Sequence, residues 1–246
     1  VQTLQPSGVP MSQSYFDRKH LPQFGRIAEG NPALADAFFS YYGAAFEDGA
    51  MGAREKSLIA LAVAHLVQCP YCIDAYTSGS LEAGSDLEQM SEAVHVAAAV
   101  RGGSVLTYGT QMMALAAKRS MGGAPGEALA MPESYFDRSH VEARDRAMAA
   151  EAPGLQERFV DYERHCFNEG ALSAGEKYVI ALACAHTLQS PYGIDDFTRR
   201  ALEDGATPAV LTEAIHVAVA IRGGASLIHG LQMMEHVNDF AKRESA

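Results

Sequence analysis

Cys69 and Cys72 enclose Pro70 and Tyr71 in a Cys-Pro-Tyr-Cys run, and two thiols three residues apart are the groups in this chain best suited to chemistry. The run lies at the junction of two predicted helices, with Pro70 suited to the first turn of the second. Backbone N–H groups and the positive end of a helix dipole stabilise a thiolate there, so at least one cysteine should have a lowered pKa and be nucleophilic. The three-residue offset also brings the sulfurs within disulfide reach. A thiolate can then attack a peroxide oxygen, become a sulfenic acid and be resolved by its neighbour to a disulfide. Four cysteines in 246 residues are too few for a disulfide scaffold. A structural zinc site would need two more ligands; His65 and His95 could supply them, but their spacing matches no zinc-finger pattern, so no metal or cofactor is assigned. Cys166 and Cys184 lack a near partner and read as small core residues.

Helices must position this pair. From Ala53 to Val67 apolar residues recur at helical spacing with Ala between them and no Gly or Pro. Pro70 marks a break, Cys72 to Ala83 resumes the period, and Gly84 suits the residue that ends that helix. Leu87 to Val100 forms another helix, Gly102-Gly103 punctuates it, and Ser104 to Arg119 completes the unit. No run alternates apolar and polar residues with β-branched enrichment, so the expected class is all-α.

The unit occurs twice. Displacing the sequence by 121 positions lays Glu55-Lys56 on Glu176-Lys177, His65 on His186, Pro70-Tyr71 on Pro191-Tyr192, His95 on His216, Arg101-Gly102-Gly103 on Arg222-Gly223-Gly224 and Gln111-Met112-Met113 on Gln232-Met233-Met234. One position out of step, Ser14 to Arg18 recurs as Ser134 to Arg138. Two copies imply a fused pair of globular units, 1–122 and 123–246, joined by the Gly/Pro-containing stretch Ser120 to Pro132. In the second copy Ser190 and Gly193 replace the cysteines, which ends redox chemistry there.

A net charge of −11 without a basic run opposes binding to nucleic acid or to an anionic membrane surface. Apolar stretches such as Leu58 to Val67 are too short to span a bilayer. Val1 to Ser14 has neither an apolar core nor a basic start, so it does not read as a signal peptide, and a cytoplasmic location is the expectation.

Glu55 through Ala83, with Cys69-Pro70-Tyr71-Cys72-Ile73-Asp74-Ala75-Tyr76 at its centre, and the later Gly102-Gly103 resemble the AhpD-like alkylhydroperoxidase and carboxymuconolactone decarboxylase family. Val94-His95-Val96-Ala97-Ala98 adds a likeness to its duplicated, arsenosugar biosynthesis-associated peroxidase-like members. The resemblance covers both halves. It implies an all-α fold, ring assembly in which a homo-trimer of this chain would supply six units, attack by Cys72, and reduction of small-molecule hydroperoxides at the expense of a dithiol reductant.

The chain departs from the family's proton relay, because Ser57 and Tyr76 occupy the slots of its Glu and His. Glu55, His65 one helical turn before Cys69, and His95 with Glu92 at i−3 are the candidates to replace them, beside Tyr76 itself. Glu176, His186 and His216 persist in the sulfur-free copy, which equally fits hydrogen-bonded core residues. Arg101, Glu92 and Asp74 read as members of buried or inter-subunit ion pairs, and the Met pairs as core or interface packing. Two other readings stay open: a cofactor-free lyase acting through His and Arg, and a non-enzymatic scaffold.

Overall fold

The structure, a computed structural model, describes residues 16–120 and 141–244. Most of the expected linker and the Ser134 to Arg138 recurrence lie outside the described residues. Among the described residues the regular structure is helical: a 3-10 segment Arg18–Glu29, then α1 (Pro32–Phe46), α2 (Ala53–Leu66), α3 (Pro70–Glu82), α4 (Leu87–Ser120), α5 (Val141–Glu151), α6 (Pro153–Phe167), α7 (Ala174–Thr187), α8 (Pro191–Glu203) and α9 (Pro208–Glu244).

Capping explains the bounds. Ser173 Oγ accepts from Glu176 N at 3.3 Å while Glu176 Oε2 accepts from Ser173 N at 2.8 Å, a capping box that starts α7. In α2 the reciprocal half survives, Glu55 Oε2 accepting from Gly52 N at 3.0 Å. The α3 helix ends with Gly84 at φ +88°, its N–H donating to Leu81 O and that of Ser85 to Ser80 O, the paired bonds of a Schellman motif.

The paired helices α2 and α7 are apolar on every side: Leu58 to Ala64 and Val179 to Ala185 are all buried. A helix apolar all round must be surrounded, and α4 and α9 surround them, since α2 packs on α3, α4, α7 and α9 and α7 on α4, α6, α8 and α9. The long helices also exchange sides. In addition to its own repeat, α4 packs on α5 and α6, and α9 packs on the 3-10 segment, α1 and α3. Each repeat's cysteine-equivalent position therefore faces a helix from the other repeat.

The expected break at Gly102-Gly103 does not occur, because α4 runs unbroken through it, as α9 does through Gly223-Gly224. Those glycines admit an aromatic ring instead: a Cβ on Gly102 would stand 2.7 Å from Phe159 Cε2, and one on Gly223 3.0 Å from Phe38 Cε2. Gly102→Ala is accordingly expected to destabilise by roughly 1–3 kcal/mol through overpacking, although Ala is the better helix former by about 1 kcal/mol. A urea midpoint equal to or above that of the wild type would contradict this. The uninterrupted α9 is long and apolar enough to cross a bilayer by length and composition alone, unlike the shorter stretches visible in the sequence, but half of its apolar window is buried within the fold, as a core helix requires.

Candidate functional site

Cys69 is placed by the turn that closes α2. Gln68 adopts the left-handed conformation, φ 56°, and its N–H donates to His65 O while that of Cys69 donates to Ala64 O, so a second Schellman motif swings the chain into α3. Gln189 repeats the conformation at φ 54° before Ser190. Cys69 then becomes the N-cap of α3 with Pro70 in its first turn, two residues earlier than the sequence period begins.

The N-cap sulfur does what an N-cap oxygen does. Cys69 Sγ accepts from Cys72 N at 3.3 Å and from the Cys72 thiol at 2.8 Å, and both cysteines are reduced and buried. The Cys72 thiol proton, the Cys72 backbone N–H and a hydrogen bond from His229 of α9 outweigh burial and pull Cys69 down to about 6. Cys72 moves up, because it is the donor to Cys69 and is itself desolvated. These shifts favour negative charge on Cys69 and the proton on Cys72, whereas the resemblance implies Cys72 as the attacking sulfur.

Around this pair stands a layer of tyrosines. Tyr76, one turn after Cys72, is hydrogen-bonded to Tyr42 of α1 and stacks on Phe46 with ring centroids 5.5 Å apart. Burial first, then the neighbouring Tyr42, push its hydroxyl up, so Tyr76 is a neutral neighbour of Cys72. Tyr71 is fully buried between the motif and the other repeat. His20 Nδ1 lies 2.8 Å from Tyr71 Oη, His20 Nε2 lies 2.9 Å from Glu235 Oε1, and Gln232 Nε2 donates to Tyr71 Oη at 3.4 Å. A carboxylate only accepts, so His20 donates to Glu235 from Nε2 and, when neutral, accepts from Tyr71 at Nδ1. The His229 ring meets that of Tyr71 edge to face at 5.2 Å.

The structure separates most of the residues expected to form a relay. Glu55 caps the first turn of α2, whereas Cys69 follows its last, roughly 20 Å along the helix. His65 Nδ1 bonds Leu61 O at 2.9 Å, and His186 does the same with Leu182 O, so this histidine serves the backbone in both repeats. His95 is exposed, 3.0 Å from Tyr162 Oη on α6, and Glu92 does not orient it, being paired with Lys177 at 2.9 Å. Asp74 pairs with Arg18, and Arg101 Nη1 donates to Leu66 O at the end of α2. Cys184 is fully buried in the core, as expected. Of the expected relay residues, Tyr76 is a neighbour of Cys72.

A model of the carboxymuconolactone decarboxylase family matches residues 32–118 and again residues 153–236. The chain belongs to this family. Uncharacterized protein 4 of the cox locus in Paracoccus denitrificans is 37% identical over 91 residues, which are 37% of this chain and 82% of that protein. An uncharacterized protein of Cupriavidus necator is 33% identical over 92 residues, 37% of this chain and 81% of that protein. Both relatives therefore have the length of one repeat. A solved chain from Burkholderia xenovorans, described as a gamma-carboxymuconolactone decarboxylase subunit, superimposes with a TM-score of 0.65 at 16% identity, over 93% of this chain and all of that one, a likeness of fold.

Within this two-repeat member of the carboxymuconolactone decarboxylase family, the second repeat carries a cavity at the positions that correspond to the cysteine pair. A cavity of about 470 Å³ opens beside Ser190, Tyr192 and Gly193, with Glu163, Asp196 and Phe197 in its wall. Glu163 corresponds to Tyr42 and Asp196 to Ala75. Neither sulfur nor the tyrosine pair is present there.

Proposed function

We propose that the chain is a dithiol oxidoreductase that reduces hydroperoxides through Cys69 and Cys72. The observation that carries this reading is a buried N-cap sulfur, Cys69 Sγ, that accepts from the Cys72 thiol at 2.8 Å and from the Cys72 backbone N–H at 3.3 Å, an arrangement that lowers its pKa. The Cys69 thiolate attacks one peroxide oxygen; the S–O bond forms, the O–O bond breaks, and the alkoxide leaves as an alcohol after taking a proton. Cys72 then displaces hydroxide from the sulfenic acid, its own proton completing a water molecule, and the disulfide forms. A dithiol supplies the two electrons and two protons that restore the pair.

The family's description and that of the Burkholderia xenovorans chain favour a second reading, a cofactor-free lyase acting on a carboxylated lactone through histidine and arginine. The two separate cleanly in one assay set. Hydroperoxide consumption with dithiothreitol should occur in the wild type and vanish in the Cys69→Ser/Cys72→Ser double variant. Decarboxylation of a muconolactone substrate that survives in the double variant, with no peroxide consumed by the wild type, would replace the first reading with the second.

A further inference from the structure

We infer that the sulfur-free second repeat supplies the proton-handling half of the cysteine site, with His229 as acid–base partner of Cys69 and Glu235, through His20, holding Tyr71 in place beside it. The inference rests on the dithiol reading above and assigns roles to His229 and Glu235, more than 150 positions from the motif.

Three observations converge. His229 stands on α9, the helix that the second repeat packs against α3, its ring meeting that of Tyr71 in the motif edge to face at 5.2 Å, and it is among the groups that lower Cys69. Tyr71, whose ring flanks His229, is fixed at its hydroxyl by His20 and Gln232, and His20 is fixed by Glu235; Gln232 and Glu235 again belong to α9. The repeats have also diverged reciprocally. The second lacks both sulfurs, having Ser190 and Gly193, and the first lacks the base and the carboxylate, having Tyr108 where the second has His229 and Ala114 where it has Glu235. Tyr108 bonds the backbone, its hydroxyl donating to Gln189 O at 3.4 Å, next to Ser190. Gln111 and Gln232, by contrast, are alike. Histidine stands at this position in the repeat whose helix reaches sulfur, and tyrosine where the helix reaches none.

The titratable groups facing Cys69 are Cys72 and Tyr76 on α3, Tyr42 on α1 and His229 on α9, with Tyr71, His20 and Glu235 behind them. Burial raises both Tyr42 and Tyr76, which leaves the imidazole of His229 as the general acid–base of the group. It takes the Cys69 proton when the thiolate forms and returns it to the departing alkoxide as the O–O bond breaks, so it ends each turnover as it began.

The test compares pH profiles of iodoacetamide alkylation at Cys69 and of cumene hydroperoxide consumption with dithiothreitol in the wild type, His229→Gln and His229→Tyr, the latter installing the residue of the first repeat. Alkylation in both variants should titrate about one unit higher and run several-fold slower below pH 7, and turnover should fall roughly 100-fold. Glu235→Gln should move the alkylation profile in the same direction by less, and Glu235→Asp should restore it. An alkylation profile unchanged in both His229 variants overturns the inference even if the wild type reduces peroxide. A shifted alkylation profile in a protein that consumes no peroxide upholds the His229–Cys69 pairing and removes the peroxidase reading instead.

Discussion

Glu213→Ala is expected to cost about 3–5 kcal/mol of stability, the usual penalty for stranding one member of a buried ion pair. The ammonium of Lys56, 3% exposed, lies 3.0 Å from Glu213 Oε2, and its other assigned partner is the carbonyl of Glu47. The same carboxylate accepts from Ala50 N at 2.7 Å and Met51 N at 3.1 Å, so its loss orphans a buried cation and two backbone donors at once. The arrangement recurs in reverse between the repeats. Lys177, 2% exposed, pairs with Glu92 at 2.9 Å, and Glu92 accepts from Ala171 N at 3.1 Å and Leu172 N at 2.8 Å. Each pair ties the long helix of one repeat to the loop before the central helix of the other, so Glu92→Ala should cost a similar amount. Glu213→Gln keeps an acceptor for the backbone and should cost less. Both carboxyls sit below their ordinary value, Glu213 chiefly through the Ala50 and Met51 N–H groups with Lys56, and Glu92 through Lys177 and its two backbone donors against the opposing effect of burial. Because the folded pKa is depressed, this stabilisation is complete above the unfolded carboxyl value of about 4.3 and is lost as pH falls below it. Urea midpoints at pH 7 and pH 4 measure both effects. A shift at pH 7 worth less than about 1 kcal/mol would mean that water reaches Lys56 and that the pair does not hold the repeats together.

The chemistry-bearing turn was readable because it is local: a proline after an N-cap and the end of an Ala-rich helix are signals within a few residues. Duplication was readable because Glu55, His65 and His95 recur in register, and their recurrence in a sulfur-free copy already weighed against a relay role for them. Glu55 and Glu176 recur as caps and His65 and His186 as backbone partners, and these duties belong to the helices, not to sulfur. What distinguishes the reactive repeat is found where the copies differ, at His229 against Tyr108 and Glu235 against Ala114, and no local pattern links those residues to Cys69. The glycine pair misled for a related reason. A helix period that halts at two glycines reads as a break, whereas the cause is an aromatic ring brought from the other repeat, which no single-window pattern contains.

The two cysteines should respond very differently to substitution. Cys69 is pulled down to about 6, so alkylation by a small reagent should be half-maximal well below the ordinary thiol value of about 8.5. Cys69→Ser leaves only Cys72 in the motif, buried and without a cationic partner of its own, so its thiolate fraction at pH 7 should be below about 0.01 and alkylation should fall by roughly 100-fold. Cys72→Ala removes the donor that contributes most to the lowering at Cys69, so Cys69 should remain the alkylated residue but titrate one to two units higher, with His229 and the helix N–H groups holding it below an ordinary thiol. Cys72→Ser, whose hydroxyl can still donate, should lie between Cys72→Ala and the wild type. Mass spectrometry identifies the alkylated residue, and the pH midpoint reports the charge. Steric access does not produce this ordering, since Cys69 is 2% and Cys72 9% exposed, and access alone would favour Cys72. Alkylation at Cys72 in the wild type near pH 6, or equal losses in the two single variants, would move the reactive charge to Cys72 and restore the assignment that the family resemblance implies.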